Sequence, residues 1–266
     1  MTPDMRRAFP ATDSTMIFHR IVLSALLVGA LSGLLLSAVQ LWQVIPIIHG
    51  AERFEHAPAQ QVSDPARKTT QAHEHAGHVH PAGAWEPAEG MERTGYTVLA
   101  NVLTAIGYAL LMLVAMVASL KRNAATKFDW RYGLLWGAAG YVTFFLAPAF
   151  SLPPEIPGAV AAPLEARQLW WMLTALCTAT GLAGVAFGKA PWRWAALGLL
   201  IVPHLVGAPH PVTNPFADHP PAAADELAEF ARQFVWATAF ANALYWLALG
   251  SASVWAVRRF LKEAVA

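Results

Sequence analysis

Uncharged, mostly apolar runs cover residues 21–48, 97–120, 132–150, 168–188, Trp192–Val206 and 234–257. A bilayer core about 30 Å thick needs about 20 such residues per helix. Five of the runs meet that length. The run Trp192–Val206 is short and carries Pro203 and His204 near its end. It reads as a short span, a span lengthened by its flanks, or a re-entrant segment. The pattern therefore predicts an all-α, polytopic transmembrane helix bundle with six spans, or five if that run does not cross.

Charge supports the count of six. With six spans and both termini in the cytoplasm, Arg6, Arg7, Arg20, Lys121, Arg122, Lys127, Arg131, Lys189, Arg193, Arg258, Arg259 and Lys262 lie inside. Arg53, Arg67, Lys68, Arg93, Arg167 and Arg232 lie outside, so the 18 basic residues split twelve to six, as the positive-inside rule requires. Five spans would move Arg258, Arg259 and Lys262 outside. Thirteen of the 17 acidic residues fall outside, which makes that face attractive to cations. The first run is too long for a signal-peptide core and has no clear small-residue cleavage site, so it reads as a retained span. Residues 1–15 read as a disordered polar extension with Met16 as an alternative start, and 16–266 as one membrane domain.

Composition narrows the class further. Of 266 residues, 56% are apolar and only 13% charged, about half the share typical of soluble domains. The lone Cys177 excludes a disulfide framework or a multi-cysteine metal site. A net charge of +1 gives nucleic-acid binding no electrostatic support. Lipid is the expected environment. Gly29 and Gly33, Gly133 and Gly137, and Gly184 and Gly188 recur at four-residue spacing, which suits close helix packing within one bundle better than a dimer face. Trp85, Trp170, Trp171, Trp192 and Trp194 fall near predicted interfaces, where amphipathic rings anchor.

The histidines carry the candidate chemistry. His73, His75, His78 and His80 fall within eight positions, around Glu74, in the long outer loop 49–95. That loop is rich in Ala, Pro, Gly and Gln and has no core of its own. Short His-rich tracts are a compositional sign of metal binding, and neutral imidazoles suit Zn, Cu, Ni and Co. Ordering a flexible tether around an ion costs entropy, so capture is of moderate affinity and reversible. The competing reading is a solvated linker. His49 and His56, with Glu52 between them, share one face if the helix continues past Pro46; otherwise they mark an ordinary helix end. His204 follows Pro203 towards the outer end of the fifth run, and an ionisable residue in a span is a functional candidate by default. Pro203 also frees a backbone carbonyl of the kind that lines cation paths. The plainer reading of His204 is a bond to a neighbouring helix. No Asp or Glu lies deep in a run, which argues against a carboxylate proton relay.

The His-rich loop leads into Trp85-Glu86-Pro87 and Gly90-Met91-Glu92-Arg93-Thr94, then a span holding Asn101. Pro148, the stretch from Leu152 to Gly158 (LPPEIPG), the stretch from Ala166 to Trp171 (ARQLWW) and that from Pro203 to Pro209 (PHLVGAP) follow. In this order they resemble the CbtA family of bacterial cobalt transporter subunits, over nearly everything from Met16 onward. The resemblance implies a non-enzymatic, multi-pass protein of the bacterial cytoplasmic membrane, linked to cobalamin biosynthesis. It also implies a small single-span, His-tailed partner, CbtB, and a count of five spans against the six read from the runs.

The residues agree with such a role. Around Gly188-Lys189, Ala183 and Ala190 stand where a P-loop needs glycine and Ser or Thr, so ATP has no site in this chain. A dication entering through 100 mV gains about 4.6 kcal/mol, so the membrane potential is a sufficient driving force. The expected transported ion is Co2+, or alternatively Ni2+ or Zn2+, and no prosthetic group is expected. Two other classes remain: a membrane metal-binding or sensing protein without transport, and a haem-holding membrane redox protein. The last needs two axial histidines on facing helices, and only His204 lies well inside a run.

Overall fold

In the computed structural model, residues 11–55, 87–122 and 129–261 are described, and among them every regular element is helical. Helix α1 (Ala11–Val39) passes through a π-turn, Gln40–Val44, into α2 (Ile45–Glu55). After α3 (Met91–Arg122), α4 (Trp130–Tyr141) runs through a second π-turn, Val142–Leu146, into α5 (Ala147–Ser151). Helices α6 (Leu164–Phe187), α7 (Trp192–Val206) and α8 (Pro221–Ala256) complete the order, α8 ending in the π-turn Val257–Leu261. The first two π-turns have a visible cause. Pro46 and Pro148 lack the N–H that would meet the carbonyls of Trp42 and Phe144, so the chain widens there rather than breaking.

Five continuous helical stretches are long and apolar enough to span: Thr15–Phe54, Met91–Leu120, Trp130–Ser151, Leu164–Phe187 and Pro221–Leu261. Trp192–Val206 is a shorter apolar helix of 15 residues, about 22 Å of rise, below the hydrocarbon thickness. Three boundaries differ from the sequence reading. Helix α1 already begins at Ala11, within the stretch read as an extension. Residues 49–55 and 91–95, assigned to the outer loop, are helical. Helix α8 starts 13 residues before its apolar run, because the alanines at 222–224 are strong helix formers and Pro221 costs nothing at a helix start. Hydropathy marks where a helix meets lipid, not where its hydrogen bonding stops.

The described residues form two compact units. The first takes α1 up to Ala38, the chain from Glu89 to Tyr141, and α8 from Asn242 onward. Many of its buried positions are small or hydroxylated, among them Ser24, Ala25, Ser32, Ala105 and Ala109, beside the larger Leu113, Met116 and Trp246, while Leu23, Leu31, Leu103 and Leu111 are exposed. This pattern suits helices that meet through close contact while large side chains face lipid. A Cβ on Gly33 would lie 2.6 Å from Val102 Cα, and one on Gly29 would strike the Ile106 backbone, so α1 lies directly on α3. Gly133 and Gly137 face Gly250, Ser251 and Leu247 on α8 in the same manner. Asn101 Nδ2 donates to Ser37 Oγ at 3.1 Å, and Ser37 in turn donates to the Gly33 carbonyl at 2.9 Å.

The second unit comprises Val39–Ala88 and Val142–Ala241 in its described residues. Gly50 of α2 packs under the Phe230 ring of α8. The main feature is an antiparallel hairpin of α6 and α7. Trp170 near the start of α6 meets Pro203 near the end of α7, while Gly181 and Gly184 meet Ala196. The hairpin returns the chain to where it began: Val160 N donates to the Pro215 carbonyl at 2.8 Å, and His219 Nε2 lies 3.4 Å from the Gly158 carbonyl. The segment before α6 and the segment after α7 are therefore laid side by side.

Candidate functional site

Three stretches far apart in sequence meet in the second unit: the end of α5 with its Pro-rich continuation, the first turns of α6, and the last turn of α7. Ser151 closes α5, and Pro153, Pro154 and Pro157 forbid further helix, so the chain crosses in extended form to α6. Helix α7 ends at Gly207, whose φ of 86° is the left-handed conformation that glycine adopts readily.

His204 lies at the centre and is half-buried. Its Nδ1 shares a hydrogen bond of 2.8 Å with Ser151 Oγ. The ring meets Phe150 edge-on at 5.5 Å and Trp170 at 6.1 Å between centroids. Trp170 is only 5% exposed, and its Nε1 donates to the Pro203 carbonyl at 3.2 Å. This corrects the expectation of an interfacial ring at 170: the indole N–H has a backbone acceptor inside the unit and needs no headgroup. Trp192 and Trp194, by contrast, are well exposed. The bond from His204 to α5 satisfies the plainer reading of this residue, yet it occupies Nδ1 alone.

Arg167 pairs with Glu155 across the same region, with both side chains about a quarter exposed. The Arg167 Nε is buried and has no hydrogen-bond partner among the described residues. Beside the pair opens a cleft of about 510 Å3 whose polar lining is Glu155, Arg167 and Gln168, with Trp171 and Met172 among its apolar walls. The sequence pattern marks Arg167 only as an outer charge, and it joins neither Arg167 to Glu155 nor Ser151 to His204. The available signal is weak, because 12 residues separate the first pair and 53 the second.

The remaining histidines divide. The helix does continue past Pro46, and His49 Nδ1 lies 3.0 Å from Glu52 Oε2, so those two share a face as expected. His56, His73, His75, His78 and His80 lie outside the described residues. Among the described residues no group of three His, Cys, Asp or Glu side chains comes together. What the centre offers is an imidazole on a proline-weakened helix end, a hydroxyl that orients it, and an ion pair at the edge of an open cleft.

No curated protein and no solved structure matches this chain. The family model described as "Probable cobalt transporter subunit (CbtA)" matches residues 18–258, which takes in α2 to α8, most of α1 and all three stretches that meet at His204. With five helices long and apolar enough to cross a membrane, the chain belongs to the CbtA family of probable cobalt transporter subunits.

Proposed function

We propose that this chain takes divalent cobalt from the outer face of the bacterial cytoplasmic membrane and conducts it inward for cobalamin biosynthesis. The observation that carries this reading is the convergence of three family stretches on His204 within the matched region. Capture falls to His73, His75, His78 and His80 on the outer loop, with His49, Glu52 and His56 at its root. In the tautomer whose Nδ1–H donates to Ser151 Oγ, His204 Nε2 keeps the lone pair a metal needs. Imidazole ligands follow the Irving–Williams order, so Ni2+ binds more tightly than Co2+ and Zn2+ also competes. A small single-span CbtB-like subunit is the expected partner. Cells lacking their own cobalt uptake test the reading: radioactive cobalt should accumulate when this chain and its partner are expressed. No gain over empty cells would remove it.

Six crossings with both termini cytoplasmic is the topology we favour. The hydrogen bonds from Val160 to Pro215 and from His219 to Gly158 support it, since they return the chain after α7 to the side it left before α6. A 15-residue α7 is short for a full span, and a locally thinned bilayer or its flanks must make up the difference. A phosphatase fused after Ala266 should be inactive and a cytoplasmic reporter there active. The opposite pattern would give five spans or an inverted protein.

A further inference from the structure

Beyond His204 the seam between α6 and α7 holds two oxygen atoms with unusual bonding. Trp170, Thr174, Thr178 and Gly181 lie on one buried face of α6, at i, i+4, i+8 and i+11. Thr174 donates to the Trp170 carbonyl at 2.9 Å, the ordinary local bond of a hydroxyl in a helix. Thr97, Thr238 and Ser251 do the same one turn back. Thr178 does not. Its side chain is 1% exposed, and its Oγ1 has no hydrogen-bond partner among the described residues. A buried hydroxyl left this way is destabilising.

A backbone carbonyl of α7 also loses its usual bond. Pro203, itself fully buried, has no N–H to give the Leu199 carbonyl, which therefore lacks its α-helical donor. Leu199 lies between the two points where α7 touches α6, Ala196 against Gly181 and Pro203 against Trp170. It is four residues, roughly 6 Å of rise, from Pro203.

We infer that this seam is an oxygen-lined binding stretch of the cation path, in which Thr178 Oγ1 and the Leu199 carbonyl receive a partly dehydrated divalent cation from His204. The inference rests on the transport reading of His204. Neutral oxygens are well matched to such a stretch. First-row dications accept hydroxyl and carbonyl ligands, and without a carboxylate the ion is held weakly enough to leave. The unmet bonding capacity of Thr178 is then what the cation uses, and the buried Pro203 keeps the Leu199 carbonyl available.

The test is the initial rate of cobalt uptake by cells carrying the complete transporter, normalised to membrane abundance. Thr178→Val keeps the shape and removes the oxygen, and should slow uptake about tenfold, equivalent to about 1.4 kcal/mol in the barrier. Thr178→Ser restores the oxygen and should recover most of the rate. Pro203→Ala returns a donor to the Leu199 carbonyl and should also slow uptake, which keeps the inference testable if Thr178→Val fails to accumulate. Equal slowing by the valine and serine variants would assign Thr178 to packing and overturn the inference. Normal rates in Thr178→Val and Pro203→Ala with slow uptake in His204→Ala would overturn it while leaving the transport reading intact. Normal rates in all three would remove both.

Discussion

Replacing His204 by alanine should cut cobalt uptake by well over tenfold while leaving cobalt capture by intact cells unchanged. The side chain supplies the one imidazole in the second unit that a helix end, a hydroxyl and two aromatic rings hold in a fixed orientation. A dication leaving water meets a large desolvation barrier, and each 1.36 kcal/mol added to it slows passage tenfold. Loss of the nitrogen ligand, with the Glu155 carboxylate already paired to Arg167, adds more than one such step. Joint replacement of His73, His75, His78 and His80 by alanine should behave in the opposite way. Uptake should fail at low external metal and recover when metal is raised, because a tethered capture site only raises local concentration. Ser151→Ala separates orientation from ligation. It leaves the imidazole in place and frees Nδ1, so uptake should fall less than in His204→Ala, in the range usual for lost ligand-orienting bonds, about 10–100-fold in affinity. If His204 only ties α7 to α5, His204→Ala and Ser151→Ala should lower membrane abundance equally and uptake per molecule should not change. Uptake must therefore be expressed per folded protein.

One substitution made at two glycines should have opposite effects on stability. A Cβ on Gly137 would strike the Trp246 carbonyl and lie 3.0 Å from Leu247 Cα, so α4 and α8 would have to part along their whole contact. Overpacking of this kind costs about 1–3 kcal/mol, and backbone cannot move aside as a flexible side chain can. For a chain of this size that is a fall of roughly 2–12 °C in the unfolding midpoint in detergent. Gly107, on α3, has nothing within 4 Å of the position a Cβ would take. Gly107→Ala should raise the midpoint slightly, since alanine in a helix interior is favoured over glycine by about 1 kcal/mol. Similar midpoints for the two variants would mean that α4 and α8 are not in close contact.

The helices themselves were legible in the sequence because lipid imposes a one-dimensional rule. A span must be apolar for about 20 residues and must bond its own backbone, and both demands are met locally. All six runs coincide with helices, and the glycine pairs announce close packing, because small side chains at that spacing let two backbones approach. Helix ends were poorly legible. Ala11, Glu55 and Pro221 lie beyond the apolar runs, where hydrogen bonding and helix propensity continue after lipid contact stops.

Histidine chemistry was legible as residue type, and His204 stood out because an ionisable group in a span is costly. Its partners did not stand out. Ser151, Trp170 and the Glu155–Arg167 pair look ordinary in sequence, and their meeting depends on two connections, the one stiffened by prolines before α6 and the short link 188–191 that folds α7 back onto α6. The same limit applies to Thr178. A threonine in an apolar run reads as neutral packing, since most such hydroxyls bond their own helix. Only the pairing of α6 with α7 decides that this one is enclosed, with no partner among the described residues. Sequence alone determines which segments enter the membrane, because that depends on each segment's transfer from water to lipid. Tertiary structure alone decides which polar atoms are left facing one another inside it, because that depends on contacts between residues with no neighbourhood in the chain.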